Sequence, residues 1–243
     1  MQVTGATHIG LVRSSNQDAL QYGPLGDAVQ YAVVCDGMGG ANGGNVASEI
    51  AAEVIARRIT EHVRQEQVLH SPEHLFSSAM EAANLAIYER ALESPDLSGM
   101  GTTVVAAVMR SDVAYISHVG DSRLYLFRQG RLTSVTRDHS VVQEMIESGQ
   151  LTEEQARSHP RKHFITRALG VSAQESGEYD ELPLEPGDRL LLCTDGLTNM
   201  VENRAIAAIM AADPPAVAVP RLIQAALDGG GRDNVTVVIM DLA

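Results

Sequence analysis

Five aspartates stand where chemistry can be done. Asp36 ends the apolar run Tyr31-Ala32-Val33-Val34-Cys35 and is followed by Gly37-Met38-Gly39-Gly40. Asp121 lies in Gly120-Asp121-Ser122, Asp195 follows Cys193-Thr194 and precedes Gly196, and Asp233 sits in Gly231-Arg232-Asp233-Asn234. Asp18 closes the polar run Arg13-Ser14-Ser15-Asn16-Gln17-Asp18. A β-branched apolar run reads as a buried strand, so a carboxylate at its end is expected at the rim of a core, rigidly held yet able to meet a metal. Taken singly, each is an ordinary turn signal. Gathered in space, they would repel one another unless a cation or proton intervened. An oxygen-only set suits magnesium or manganese, not zinc. Two such ions roughly 3.5–4 Å apart can share a carboxylate, lower the pKa of a water and hold a phosphate for in-line attack. Arg13 is placed to grip the phosphate oxygens.

The elements that must position these residues are legible from periodicity. Strands are expected over 4–12, 30–35, 102–109, 113–119, 123–127, 131–135, 178–182, 189–193 and 235–241. Helices are expected from Gly44-Asn45 onward along the stripe Val46, Ile50, Val54, Ile55, Ile59, then over 75–91, with Ser71-Pro72 as N-cap and first helical residue. Shorter helices follow over 141–148, 152–157, 202–210 and 217–227. Strands in meanders with helices in separate pairs predict an α+β fold of antiparallel sheets, not a doubly wound parallel sheet. With no linker and no repeat of fixed period, one domain over 1–243 is expected. Residues 138–170, polar and carrying His159-Pro160-Arg161-Lys162-His163, read as a mobile surface segment.

Composition narrows the partners. The 243 residues carry a net charge of −13, which argues against a nucleic-acid backbone as main partner. The longest apolar runs are strand-sized, far short of the ~20 residues that span a bilayer, and the start lacks the features of a signal peptide. A cytoplasmic protein without a membrane anchor is expected. Cys35 and Cys193 read as buried thiols in a reducing compartment, near enough to the carboxylates for oxidation to reach activity. His8 and His118 read as core or hydrogen-bonded histidines and not as ligands, and His139, His159 and His163 as solvated loop residues.

Arg13 with Asn16-Gln17-Asp18, Asp36-Gly37-Met38-Gly39-Gly40, Gly101-Thr102-Thr103, Val119-Gly120-Asp121-Ser122-Arg123, Cys193-Thr194-Asp195-Gly196 and Gly231-Arg232-Asp233-Asn234 occur in this order. The set resembles the metal-dependent serine/threonine protein phosphatases of the type 2C family in its bacterial form, over essentially the whole chain. The resemblance implies a four-layer α-β-β-α sandwich of two mainly antiparallel sheets flanked by helix pairs, with the metals at one end between the sheets. It implies that Asp36 bridges two metals, that the Gly37 carbonyl binds the first, and that Asp195 and Asp233 bind the second. Asp18 would hold metal-bound waters from behind, Asp121 would serve a third metal with Asp195, and Arg13 would bind the substrate phosphate. A hydroxide bridging the magnesium or manganese ions would attack phosphorus, with no phospho-enzyme. Residues 138–170 would form a flap that shapes substrate choice. Phosphorylated proteins and a serine/threonine kinase are the implied partners, and a monomer is expected. Three departures stand out: Met38 and Ala41 occupy positions where relatives carry histidine, and Gln17 stands in place of glutamate. Two other readings compete, a catalytically weak phosphoprotein-sensing regulator of the same fold and a phosphodiesterase or nuclease. The complete carboxylate set disfavours the first and the negative charge the second.

Overall fold

A computed structural model describes residues 2–26, 28–66, 71–157 and 159–242. One sheet has the order β1 (Gln2–His8), β11 (Val235–Asp241), β10 (Arg189–Cys193), β7 (Arg123–Arg128), β8 (Arg131–Ser134). The other runs β2 (Asp18–Pro24), β3 (Val29–Met38), β5 (Val104–Arg110), β6 (Val113–Val119), β9 (Glu178–Pro183), with the short β4 (Gly101–Thr102) also on β3. The strand pairings are antiparallel throughout.

The alternation of side chains along each strand explains the layering. In β3, Ala32 and Val34 face the other sheet, while Val33 and Cys35 face the helices α1 (Gly40–Glu66) and α2 (Pro72–Glu93). In β10, Leu190 and Leu192 meet the same inter-sheet core, while Leu191 and Cys193 face α6 (Asn203–Ala212) and α7 (Pro215–Asp228). Three apolar layers therefore alternate with four layers of structure, α-β-β-α. Central strands buried on both faces account for the unbroken apolar runs of β5 and β11.

The structure corrects several expectations. α1 begins at Gly40, not Gly44, because Gly43 and Gly44 pack so closely that a Cβ would lie 2.9 Å from Met100 Cβ and 2.8 Å from the Gln17 side chain. Close approach there overrides low helix propensity. Ser71 takes a left-handed conformation and its side chain makes no capping bond. β2 was not expected, because its Gly23 and Pro24 read as a connection; it is an edge strand, where proline is tolerated. Residues 138–170 do not lie wholly over the surface. Their helices α3 (Val141–Glu147) and α4 (Glu153–Arg157) are outlying, but His139, Ser140, Ala168 and Leu169 are buried. Leu169 exchanges backbone hydrogen bonds with Thr102 at 3.0 and 2.9 Å. Among the described residues, no helix is long and apolar enough to cross a membrane.

Candidate active site

Asp18 and Asp36 are register partners across β2 and β3, a placement that sets their Cβ atoms roughly 4.5–5.5 Å apart and makes like charge unfavourable. Asp36 is fixed through its backbone. Its carbonyl accepts from Thr103 N and Thr102 Oγ1, both at 2.9 Å, and its N–H donates to Thr103 Oγ1 at 3.2 Å. Thr103 Oγ1 lies 2.7 Å from Ser122 Oγ, so the Gly101-Thr102-Thr103 run ties the end of β3 to the turn that carries Asp121. Asp18 Oδ2 accepts from Thr194 Oγ1 at 3.0 Å and Thr236 Oγ1 at 2.7 Å, while the buried Oδ1 has no hydrogen-bond partner. Those two threonines belong to the other sheet, so Asp18 bridges the sandwich.

The other sheet supplies Asp195 and Asp233, and the turn from β6 to β7, which passes between the sheets, carries Asp121. Asp195 opens the short helix α5 (Asp195–Thr198), and Asn199 Nδ2 donates to its Oδ2 at 2.8 Å. The next residue is glycine of necessity: a Cβ on Gly196 would lie 1.8 Å from the Asn234 carbonyl oxygen. Asp233 Oδ2 accepts from Arg13 Nη2 at 2.6 Å, leaving the half-exposed guanidinium beside the cluster. Asn234 staples the first loop in place, accepting from Gln17 N at 2.8 Å and donating to Ile9 O and Ser15 O, both at 2.9 Å. Gly37 is also without alternative, since a Cβ there would lie 2.0 Å from Gly44 O.

Electrostatics shows that these acids share one neighbourhood. Burial, then repulsion from Asp18, Asp195, Asp121 and Asp233, pushes the Asp36 carboxyl well above the ordinary range. Burial first, with Asp195 and Asp233 adding repulsion, raises Asp18 to about 7. Asp121 rises to about 8 through burial and then Asp195, and Asp195 rises through burial and then Asp233. Carboxyls that resist ionising, one of them with a buried oxygen that has no hydrogen-bond partner, suit a hard divalent cation. The donor set fits the metals that the motifs imply.

Other predicted residues fall around this centre. A groove of about 670 Å³ takes in Asp121 and Asp195, flanked by Lys162 and Asn199; Arg13 and Asp36 lie outside its lining. His163 is exposed and close enough for its charge to lower the Asp195 pKa. Cys35 and Cys193 are fully buried on opposite faces of the sandwich, so they cannot pair, and burial raises both thiols. His139 is not a solvated loop residue: it is buried and stacked on His118 at 4.8 Å. Burial holds both imidazoles below the ordinary histidine pKa. Arg123, although part of a quoted motif, turns away to a bidentate pair with Asp138 at 2.8 and 2.6 Å. The supporting threonines, Asn234 and His139 were missed from sequence; the available signal, a Thr or Asn directly beside the acid, exists only at Thr194-Asp195 and Asp233-Asn234.

Two antiparallel sheets bring these aspartates into one electrostatic neighbourhood at their rim, an oxygen-rich arrangement of the kind found in metal-dependent hydrolases. Comparison with known proteins then fixes the family. The family model described as Protein phosphatase 2C matches residues 4–219. A putative protein phosphatase 2C-type of Streptococcus pyogenes is 35% identical over 246 residues, covering 99% of this chain and 97% of that one. The solved S. agalactiae serine/threonine phosphatase superposes with a TM-score of 0.90 at 37% identity, covering 98% of each chain. The catalytic domain of the serine/threonine protein phosphatase PstP, solved in complex with two manganese ions, gives 0.87 at 34% identity over 99% of this chain and 97% of that one. The chain belongs to the protein phosphatase 2C family, whose members hydrolyse phosphoserine and phosphothreonine in proteins.

Proposed function

We propose that the aspartate cluster holds magnesium or manganese and that the protein uses it to remove phosphate from serine and threonine side chains of other proteins. Asp36, the Gly37 carbonyl, Asp195 and Asp233 would hold two ions, with Asp18 orienting water behind them and Asp121 serving a third. When bound, the metals supply an activated water and neutralise phosphate charge. The chain's own residues do the rest. Arg13, anchored at one nitrogen by Asp233, turns its other N–H donors to the phosphate oxygens and orients phosphorus for in-line displacement. Water adds to phosphorus as the P–O bond to the alkoxide breaks, the proton that the water gives up balances the one the alkoxide takes to become the alcohol, and no phosphoryl group passes to the protein. Met38 carries no proton for that alkoxide. Ala41 cannot supply one either, and its side chain lies outside the described residues.

The observation that carries this reading is the mutually repelling acid set, Asp18 buried and the others partly so, with the unpartnered Asp18 Oδ1. A regulator without turnover has no use for such a set. The reading extends to a cytoplasmic monomer, acting as one unit over 1–243 opposite a serine/threonine kinase, with 138–170 flanking the substrate. The test is hydrolysis of a phosphothreonine peptide with manganese, magnesium or chelator, for the natural sequence and Asp233→Ala. Metal-dependent turnover lost in the variant is expected; turnover that persists in chelator refutes it.

A further inference from the structure

The chemistry-bearing residues that the reaction leaves unused gather at His118, His139, Arg167 and Glu178, beside the turn that carries Asp121. His139 holds Gly120 at two points. Its backbone N–H donates to Gly120 O at 2.9 Å, and its Nδ1 accepts from Gly120 N at 3.1 Å. Gly120 has φ +99°, and a Cβ there would lie 2.6 Å from Thr103, so the most pliable residue type is obligatory at this bend. Both of its backbone polar groups end on one histidine. The carbonyl so held belongs to the peptide that carries the Asp121 N–H, and turning that peptide would re-aim the Asp121 carboxylate.

The ring itself is fixed from several sides. With Nδ1 accepting, the proton sits on Nε2, which faces Glu178 Oε1 at 3.1 Å. His118 covers one face of the ring at an interplanar angle of 21° and is anchored by its Nε2 to Arg137 O at 2.8 Å. Arg167 bonds Glu178 Oε1 at 3.1 Å and Ser176 O at 2.6 Å. Ligand atoms of His118, His139 and Glu178 lie within 4.8 Å of one another. A metal there, however, would need His139 Nε2, which has the Arg167 guanidinium 3.3 Å away. The cluster is therefore a brace, not a cation site. The returning limb of 138–170 joins it, since Thr166 N donates to His139 O at 2.8 Å.

We propose that His139 is a positioning residue for the phosphatase reaction: through Nδ1 it locks Gly120, aims Asp121 into the aspartate cluster, and fastens the base of 138–170 to that carboxylate. The proposal rests on the reading of Asp121 as a metal-binding residue.

Its test compares His139→Asn, whose amide oxygen can stand in for Nδ1, with His139→Gln, which reaches only the Nε2 position, and with His139→Leu. Asp121→Ala is the reference. Manganese binding is followed by calorimetry, folding by circular dichroism and melting, and turnover of an aryl phosphate by steady-state kinetics. Leu and Gln are expected to weaken the loosest-bound manganese about tenfold or more, the size typical of residues that orient a ligand, and to lower kcat more than they change KM. Asn is expected to recover most of the loss, and Asp121→Ala to remove the same binding phase. If Asp121→Ala removes that phase while folded His139→Leu keeps it, the proposal is overturned and the reading of Asp121 stands. If Asp121→Ala leaves the isotherm unchanged, that reading fails and the proposal with it. Should His139→Leu not fold, the Asn and Gln pair decides, and equal losses overturn the proposal.

Discussion

Asp18→Asn should make the chelated protein more stable, although it alters a buried and hydrogen-bonded side chain. The Asp18 carboxyl is raised from 3.8 to about 7, with burial the leading cause. A raised folded-state value means that the stabilising contribution is fully present below pH 3.8 and is lost as pH rises through about 7. About three pH units at ~1.36 kcal/mol each set a ceiling of about 4 kcal/mol for the cost of the ionised acid at pH 8. Asparagine keeps an oxygen for Thr194 and Thr236 and removes the charge. Its new N–H2 takes the place of the unpartnered Oδ1 and needs an acceptor, which halves the gain to about 2 kcal/mol. For a chain of this size that corresponds to a rise in Tm of about 4–8 °C. Calorimetric melting in chelator at pH 8 and pH 5 reads it directly: the variant melts higher at pH 8, and the difference shrinks at pH 5, where Asp18 is already protonated. With manganese the order reverses, because the natural protein gains more from the metal. A variant that melts lower than the natural protein in chelator at pH 8 would refute the reasoning, since the bonds to Thr194 and Thr236 would then outweigh the buried charge.

Three other outcomes follow from the geometry. Arg13→Ala should lower kcat/KM for an aryl phosphate roughly ten- to a hundredfold, the equivalent of charge-assisted bonds worth about 1.5–3 kcal/mol, chiefly through KM; steady-state kinetics checks it. Asn234→Ala strips partners from Gln17 N, Ile9 O and Ser15 O and should cost about 3 kcal/mol at roughly 1 kcal/mol per bond, seen as a lower urea midpoint at unchanged m. Cys35 and Cys193 should resist a thiol reagent in the folded protein and react fully in denaturant, because both are buried and neither is easily ionised.

Asp36, Asp121 and Asp195 stood out as candidates because a carboxylate just past an apolar run is a local pattern; Asp18 opens β2 and Asp233 precedes β11, and both stood out through the ordered motifs. Antiparallel sheets carrying helices were legible from strands in meanders and helices in pairs, while the four layers came with the family resemblance; runs such as 104–109 and 235–240 prove to be buried on both faces. What escaped was non-local. Gly40 to Gly44 read as a loop, and only the approach of Met100 and Gln17 shows why a helix of small residues is required there. His139 read as a loop histidine because its partners, Gly120, His118 and Glu178, are 19 to 39 positions away. Asn234 looked like a turn residue, yet its side chain reaches across more than 200 positions to the first loop.

The place of β11 has a consequence for the birth of the enzyme. This strand inserts between β1 and β10, pairing Gln2 with Asp241 and Arg189 with Asp241 on its two sides. A nascent chain therefore holds β1 without its strand partner until β11 has been made, and closing that loop is entropically slow. Asp233 lies just ahead of β11 and Arg13 just beyond β1. The proposed cluster is thus completed in a single event, when β11 seats between β1 and β10. A chain that stops short of β11 can display Asp18, Asp36 and Asp121 but lacks the strand that seats Asp233 beside them, so the proposed cluster stays unfinished until β11 is in place.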